Sequence, residues 1–531
     1  MPPKRKRASE NDDDDYLFCT ASESEAKPNN KARRQRVKTI RKKTKGNSET
    51  ERAFDGVTSQ HSRTDHVLSA VAPLQDALLK WYYTVRDSRG MPWRKPYNPT
   101  LTPKERAQRA YEVWISEIML QQTQVATVIP YYNAWMEKFP TIEHLAMSCI
   151  EDVNALWKGL GYYSRASRLL AGAQKAVKEY GARLPDNAKD MEANIPGIGR
   201  YSAGAICSIA YGERVPVLDG NVHRLLSRML ALHASPKSKP TLDILWSAAD
   251  AMVRGSDLAH ASNDDLSKKY PGDINQALIE LGSTVCKVRD PSCSTCPLRS
   301  WCLAQARKNR AERVEDMEDL CNLCEPVDDP SDVTIYPMKI ERKKSREETD
   351  VVSVIEWCPP NTNTRPQILL VRRPEKGLLA GLYEFPTTPN VSASLSREKT
   401  TEIGLEQMIS VIESPVAQAD SRRRTGGGDQ TNSDYSLADV HFAGEVQHIF
   451  SHIRKTYRVQ RLRIEGGDRP PSLRPPCSAV QGKIKAKSRK KPERDADSAP
   501  PHAVWTPIDK VAEANIGTGV VKVWRLVSSL D

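Results

Sequence analysis

The chain has 531 residues, 39% of them hydrophobic, with 36 prolines and a mean hydropathy of −0.58. Those figures imply two folded domains with unpacked stretches rather than one core. Lys and Arg number 79 against 67 Asp and Glu, a net charge of +12. This balance favours a polyanionic partner, although a basic tail alone produces the same sum. No apolar run reaches the roughly 18 residues of a bilayer span, so no membrane partner is expected. The start lacks the apolar core of a secretory signal. The eleven cysteines therefore point to metal rather than to disulfides.

Residues 1–65 read as a disordered tail of single-sign charge runs. The basic clusters Pro3 to Arg7 and Lys31 to Lys45 flank the acidic run Asp12 to Asp15. They suit nuclear import with added DNA affinity, or simply a solvated tail. From 66 to 305 the pattern is helical. Val113, Trp114, Ile118, Met119 and Leu120 make a largely apolar helix. Leu156–Val177, Tyr201–Tyr211 and Val222–Leu232 repeat the spacing between Pro-Gly and Asp-Gly turns. No alternating strand pattern intervenes, so this domain is all-α. Residues 306–346 are highly charged and form a connector. Within 347–531 the period changes. Val351–Trp357, Gln367–Val371 and Thr456–Ile464 read as strands and Val520–Leu530 as a closing helix, an α/β domain. Two Gly-, Pro-, Ser- and charge-rich stretches, 417–434 and 466–501, read as disordered insertions.

Cys286, Cys293, Cys296 and Cys302 are separated by six, two and five residues. Four thiolates converging from one short loop hold either a zinc ion or a 4Fe–4S cluster, and spacing alone does not choose between them. Ile195-Pro196-Gly197-Ile198-Gly199-Arg200-Tyr201 reads as a hairpin. Pro ends one helix, Gly197 and Gly199 permit positive φ, and the next helix opens with free backbone N–H groups. Such a turn is a sequence-independent phosphate clamp.

Asp219 follows where an extended segment meets a helix. It reads as a plain N-cap or as a carboxylate kept ionised by helix-terminal N–H groups. Glu117 sits on the apolar helix with Val113, Trp114 and Leu120 as neighbours, so burial should lift its pKa well above the ordinary value of about 4.3. A protonated Glu beside an ionised Asp divides the labour that cleavage of an N-glycosidic bond requires. One protonates the leaving base, the other stabilises the oxocarbenium-like sugar.

The segment Trp114 to Val125, with Gly159 to Ala166, the hairpin, Val217-Leu218-Asp219-Gly220-Asn221-Val222 and the cysteine spacing, resembles the adenine DNA glycosylases of the MutY type. These lie within the endonuclease III-like helix-hairpin-helix superfamily. The resemblance is dense over 68–305, loose over 350–530, and broken by an insertion at Tyr97–Arg109. It implies a 4Fe–4S cluster on the four cysteines, with Lys287 and Arg289 presented to DNA phosphate. It makes Glu117 the proton donor to adenine N7 and Asp219 the partner of the sugar cation, with Asn221 and Tyr201 positioning them. Gln122 and Tyr162, within motifs that include Thr123 and Leu160, would wedge into the base stack as adenine is extruded. Trp93, Arg94 and Gln276 match adenine-pocket positions. Lyases of the superfamily carry a Schiff-base Lys where this chain has Tyr201, so the resemblance implies a monofunctional enzyme that leaves an abasic site. Cys321 and Cys324 could supply half of a zinc site, as in connectors of some animal relatives.

Gly381 to Pro386 and the stretch from Gln367 resemble the Nudix-like C-terminal domain of that family. Arg397 to Leu405 is a worn partial match to the Nudix signature and lacks several acids of a working Mg²⁺ site. Phe450-Ser451-His452 resembles the loop by which the family reads 8-oxoguanine opposite adenine. The expected substrate is therefore duplex DNA with adenine opposite 8-oxoguanine or guanine. The protein is expected to act as a monomer in the nucleus, with a mitochondrial product left open. The connector is expected to serve a sliding-clamp or mismatch-repair protein. Three other readings compete: an endonuclease III-like glycosylase/lyase, a non-catalytic iron–sulfur DNA-binding protein, and a Nudix pyrophosphatase.

Overall fold

The computed structural model describes residues 61–68, 71–255, 269–307, 321–327, 332–340, 345–360, 364–374, 379–418, 434–450, 453–475 and 502–530. The charge clusters near the N-terminus, and Ser451 and His452, lie outside the described residues. Backbone contacts divide the chain into two units, 1–148 with 168–341, and 149–167 with 342–531. Among the described residues no helix is long and apolar enough to cross a membrane.

Among the described residues between 61 and 340 every regular element is helical: α1 (Val71–Val85), α2 (Pro103–Leu120), α3 (Val125–Lys138), α4 (Ile142–Met147), α5 (Ile150–Trp157), α6 (Ser164–Tyr180), α7 (Ala188–Asn194), α8 (Arg200–Ile206), α9 (Gly220–Met229), α10 (Lys239–Arg254), α11 (Pro271–Thr284) and α12 (Leu303–Ala306). The all-α expectation holds for these residues. Helix α2 starts where it does because Thr102 and Glu105 form a reciprocal capping box around Pro103. It then buries Trp114, Ile115, Ile118 and Met119 almost completely.

Three expectations need correction. The helical run read over Leu156–Val177 is two helices. Gly159 and Gly161, at φ +102° and +71°, turn the chain between Trp157 and Ser164. The tail does not extend to residue 65, because Ser62 caps a 3-10 turn over Arg63–His66 and both His61 and His66 are buried. The connector also has a core, since Val333 and Tyr336 pack against Ala231 and Ala304. A three-residue turn is too short to leave a periodic trace in a charged stretch, which is why sequence pattern missed it.

The second unit is built on a mixed sheet, as the α/β expectation required. Its strands are β1 (Arg346–Cys358), β2 (Gln367–Arg372), β3 (Tyr383–Glu384), β4 (Thr387–Thr388), β5 (Val416–Gln418), β6 (Tyr435–Ile449), β7 (Ile453–Gly466) and β8 (Ala503–Pro507). The order is β3-β2-β1-β7-β6-β5, with β4 on β1 and β8 on β2. Strands β1 and β7 run parallel, β6 and β7 antiparallel. Val352 and Val354 face one core with Val523 and Val527 of α14 (Thr518–Ser528), whereas Ile355 and Trp357 face the other with Met408 of α13 (Arg397–Val411). A sheet covered on both faces explains why β1 reads as a continuous apolar run rather than an alternation. Residues 466–475, expected to belong to a disordered insertion, are ordered, while 476–501 lie outside the described residues. Leu473 bridges to Ile412, and Pro471 accepts from the Trp505 indole at 2.9 Å.

Helix α13 sits close to the sheet through Gly404, where a Cβ would lie 2.1 Å from the Gln460 amide nitrogen. That amide is buried and donates to Ser353 Oγ and the Thr400 carbonyl. Gly404→Ala should therefore destabilise this unit by about 1–3 kcal/mol through overpacking. Denaturant titration with hydrogen exchange across α13 would measure it, and wild-type protection would contradict the packing.

Candidate active site

Helix α2 carries Glu117 into the interior, leaving the residue 9% exposed. Its Oε2 accepts the Tyr201 hydroxyl of α8 at 2.8 Å. Burial pushes its carboxyl up to about 7, opposed by the Tyr201 hydrogen bond, reinforced by Asp219 and opposed again by Arg94. The elevation expected from an apolar helix is present, and desolvation is its main cause.

Asp219 is the N-cap of α9. Its Oδ1 accepts Val222 N–H at 2.8 Å and its Oδ2 accepts the Asn221 amide at 2.9 Å. The expectation that cap hydrogen bonds would dominate is corrected in direction. Burial raises this carboxyl above its ordinary value, with Val222, Asn221 and Arg224 pulling it back. Val222 N–H, Asn221 and the Arg224 guanidinium favour the Asp219 anion, as the Tyr201 hydroxyl and Arg94 do for Glu117. The extended run that delivers Asp219 is tied to α11 by Asn275, fully buried, which accepts Val217 N–H and donates to the Val215 carbonyl.

Both carboxyls open into a cleft of about 610 Å³ that is also lined by Trp93, Arg94, Gln122, Thr123, Tyr201, Asn221 and Gln276. Sequence reading missed Arg89, which lines it too. Gln122 holds φ +57° just beyond α2, and Trp93 packs edge-on against Tyr132 at 5.1 Å. The hairpin uses its glycines unequally. Gly197, at φ +80°, would place a Cβ 2.6 Å from Arg168 Cβ, while Gly199 is extended at φ −98° and caps α8. Only Gly197 needs the left-handed region.

Leu160 and Tyr162 belong to segment 149–167, which groups with the second unit. Leu160 is buried, Tyr162 is 46% exposed at φ +49°, and the Arg165 guanidinium lies 5.7 Å from its ring. Phe450 follows the last residue of β6, its ring edge-on to His448 at 4.4 Å.

Cys286, Cys293, Cys296 and Cys302 line one cavity beside α9. Burial pushes the Cys296 thiol up to about 11 and the Cys302 thiol up to about 12. Arg228 donates to Cys286 Sγ at 3.3 Å and to the carbonyls of Cys286, Lys287 and Val288, pinning the loop. A second group was only half legible in sequence. His61, His66, Cys321 and Cys324 offer ligand atoms that all lie within 4.8 Å of one another. His66 Nε2 is 3.3 Å from both sulfurs, while its Nδ1 lies 3.0 Å from the Leu230 carbonyl. That carbonyl fixes the tautomer that leaves Nε2 free to ligate. Burial holds His66 down at about 4, so the ring is neutral. The two histidines went unnoticed because His61 falls in the stretch that reads as tail and His66 at its very edge.

The hydroxyl of Tyr201 favours the ionised form of Glu117. Tyr201→Phe should therefore move the Glu117 pKa further above about 7, read by carboxyl-carbon NMR titration. A downward move would contradict the geometry.

Residues 115–250 match the family described as HhH-GPD superfamily base excision DNA repair protein. The chain is 37% identical over 488 residues to the adenine DNA glycosylase of Homo sapiens, covering 88% of this chain and 76% of that protein. It is 36% identical over 413 residues to the adenine DNA glycosylase of Arabidopsis thaliana, covering 73% and 56%. Among solved structures it is similar to a thermostable thymine-DNA glycosylase, with a TM-score of 0.36 and 22% identity over 44% of this chain and 96% of that one. With 37% identity across most of its length, the chain belongs to the adenine DNA glycosylase family and is a base-excision repair enzyme that hydrolyses N-glycosyl bonds.

Proposed function

We propose that this protein excises adenine opposite 8-oxoguanine, or opposite guanine, and leaves an abasic site in an unbroken strand. The observation that carries this reading is the Glu117 carboxyl, raised to about 7, sharing a cleft with Asp219. Glu117 donates its proton to adenine N7, so the base departs neutral. Asp219, held by Val222 N–H and Asn221, stabilises the positive charge that develops on the sugar. Trp93, Arg94 and Gln276 supply an aromatic face, a cation and an amide to the everted base, while Gln122 and Tyr162 fill the gap left in the stack. Tyr201 offers a phenol where an amine would be needed for a Schiff base, which supports hydrolysis without lyase chemistry. Phe450, on the turn after β6, is assigned with Ser451 and His452 to reading the oxidised guanine. The basic clusters before residue 46 support nuclear delivery.

The cysteine quartet fits a 4Fe–4S cluster. Its four half-buried cysteines line one cavity, and the Arg228 guanidinium offsets thiolate charge. Held there, the cluster would fix the loop that carries Lys287 and Arg289 toward phosphate. The set His61, His66, Cys321 and Cys324 fits zinc, with two nitrogen and two sulfur donors at single-ion spacing. Zinc there would join the segment before α1 to the connector after α12.

Excision assays on duplexes with adenine opposite 8-oxoguanine test the function. Glu117→Gln should reduce the single-turnover rate by about 10²–10⁴, and borohydride should trap no covalent complex. Full activity in that variant would overturn the mechanism. Elemental analysis should find both iron and zinc, and Cys324→Ser should lose the zinc while keeping the visible iron–sulfide absorption. Joint loss of both, or no zinc at all, would refute the second site.

A further inference from the structure

Glu280, on the same face of α11 as Gln276, is a buried carboxylate that the mechanism above does not use; its side chain is 1% exposed. It is also fully engaged. Arg89 Nη1 reaches both of its oxygens at 3.1 Å, and Arg94 Nη1 reaches Oε2 at 2.7 Å. Arg94 is 8% exposed and Arg89 32%, and both line the cleft. Arg94 is held from two further sides, by the Arg86 carbonyl at 3.3 Å and by the Tyr82 ring at 5.6 Å.

Two guanidinium groups on one carboxylate leave a single net positive charge on that wall. A buried cation is costly unless paired, and Glu280 supplies that pairing while the Arg86 carbonyl and the Tyr82 ring also hold Arg94 in place. The two arginines and the proposed acid line the same cleft, and the Arg94 guanidinium favours the ionised form of Glu117. The other groups acting on Glu117 are the Tyr201 hydroxyl of α8 and the Asp219 carboxylate at the cap of α9. Around the triad itself stand Tyr82 of α1 and Asp273 of α11, the latter accepting the Tyr83 hydroxyl at 3.1 Å.

We propose that Glu280 is the positioning residue of this cleft: it clamps Arg89 and Arg94 into the cationic wall against which the everted purine is seated, and it tempers the field that Arg94 exerts on Glu117. The inference rests on Glu117 being the proton donor. Opposite charge near a carboxyl favours its ionised form, so an untempered Arg94 strips the Glu117 proton at lower pH. Glu280 itself moves no proton and touches no reacting atom.

The test is the pH dependence of single-turnover excision by the full-length protein on an adenine:8-oxoguanine duplex. Glu280→Gln keeps the shape but removes the charge, and should move the alkaline limb toward acid by about one pH unit. Arg94→Met, which leaves Glu280 paired with Arg89, should move the same limb toward alkali. The double variant should follow Arg94→Met, because the field that Glu280 tempers is gone. An unmoved limb in Glu280→Gln, or a shift of both single variants in one direction, overturns the inference. If Glu280→Gln does not fold, the direction of Arg94→Met decides alone, and an acid shift or none refutes it. Full activity in Glu117→Gln would instead refute the acid assignment beneath it, so the two failures are distinguishable.

Discussion

A carboxyl group placed where water cannot solvate its charge is the constraint on which the rest of this site depends. Glu117 is a polar residue in a stretch of α2 that is buried on all sides, among Trp114, Ile115, Ile118 and Met119. The packing that stabilises the helix is therefore also what holds the proton on the acid. Neighbours then adjust that proton from several elements: Tyr201 from α8, Asp219 from the cap of α9, and Arg94 from the segment between α1 and α2. No single one of them sets the result, since two oppose burial and one reinforces it.

Asp219 shows what partners add when a second carboxyl is buried: burial raises it too, and its neighbours pull it back. As a helix cap it collects an N–H, an amide and a nearby guanidinium. Helix α9 then continues through Arg224 and Arg228 to the carbonyls of the cysteine loop. The extended run before it is anchored on α11 by Asn275. Misplacement of Asp219 would thus require several hydrogen bonds to break together, each expensive to leave unmade.

The two cysteine groups illustrate opposite kinds of legibility. The quartet lies within one short loop, so spacing alone exposes it. The second group joins residues at 61, 66, 321 and 324, and neither half is informative without the other. Tyr336 and Val333, buried beside Ala231, hold part of the same connector against α9. Charge composition concealed that small core.

Local chemistry made much of this protein readable from its residues: the apolar helix bearing Glu117, the hairpin glycine at 197, the capping aspartate, the cysteine spacing, and strands whose apolar runs required cover on both faces. Each of these depends on neighbours within a few positions, where helix period, turn geometry and side-chain chemistry act directly. Tertiary structure alone decided the rest. It set the upward direction of the Asp219 pKa, the break at Gly159 and Gly161, the burial of His61 and His66, and the pairing of Glu280 with Arg89 and Arg94. Desolvation and long-range pairing depend on what the folded chain brings to a point, and no window of sequence contains those partners.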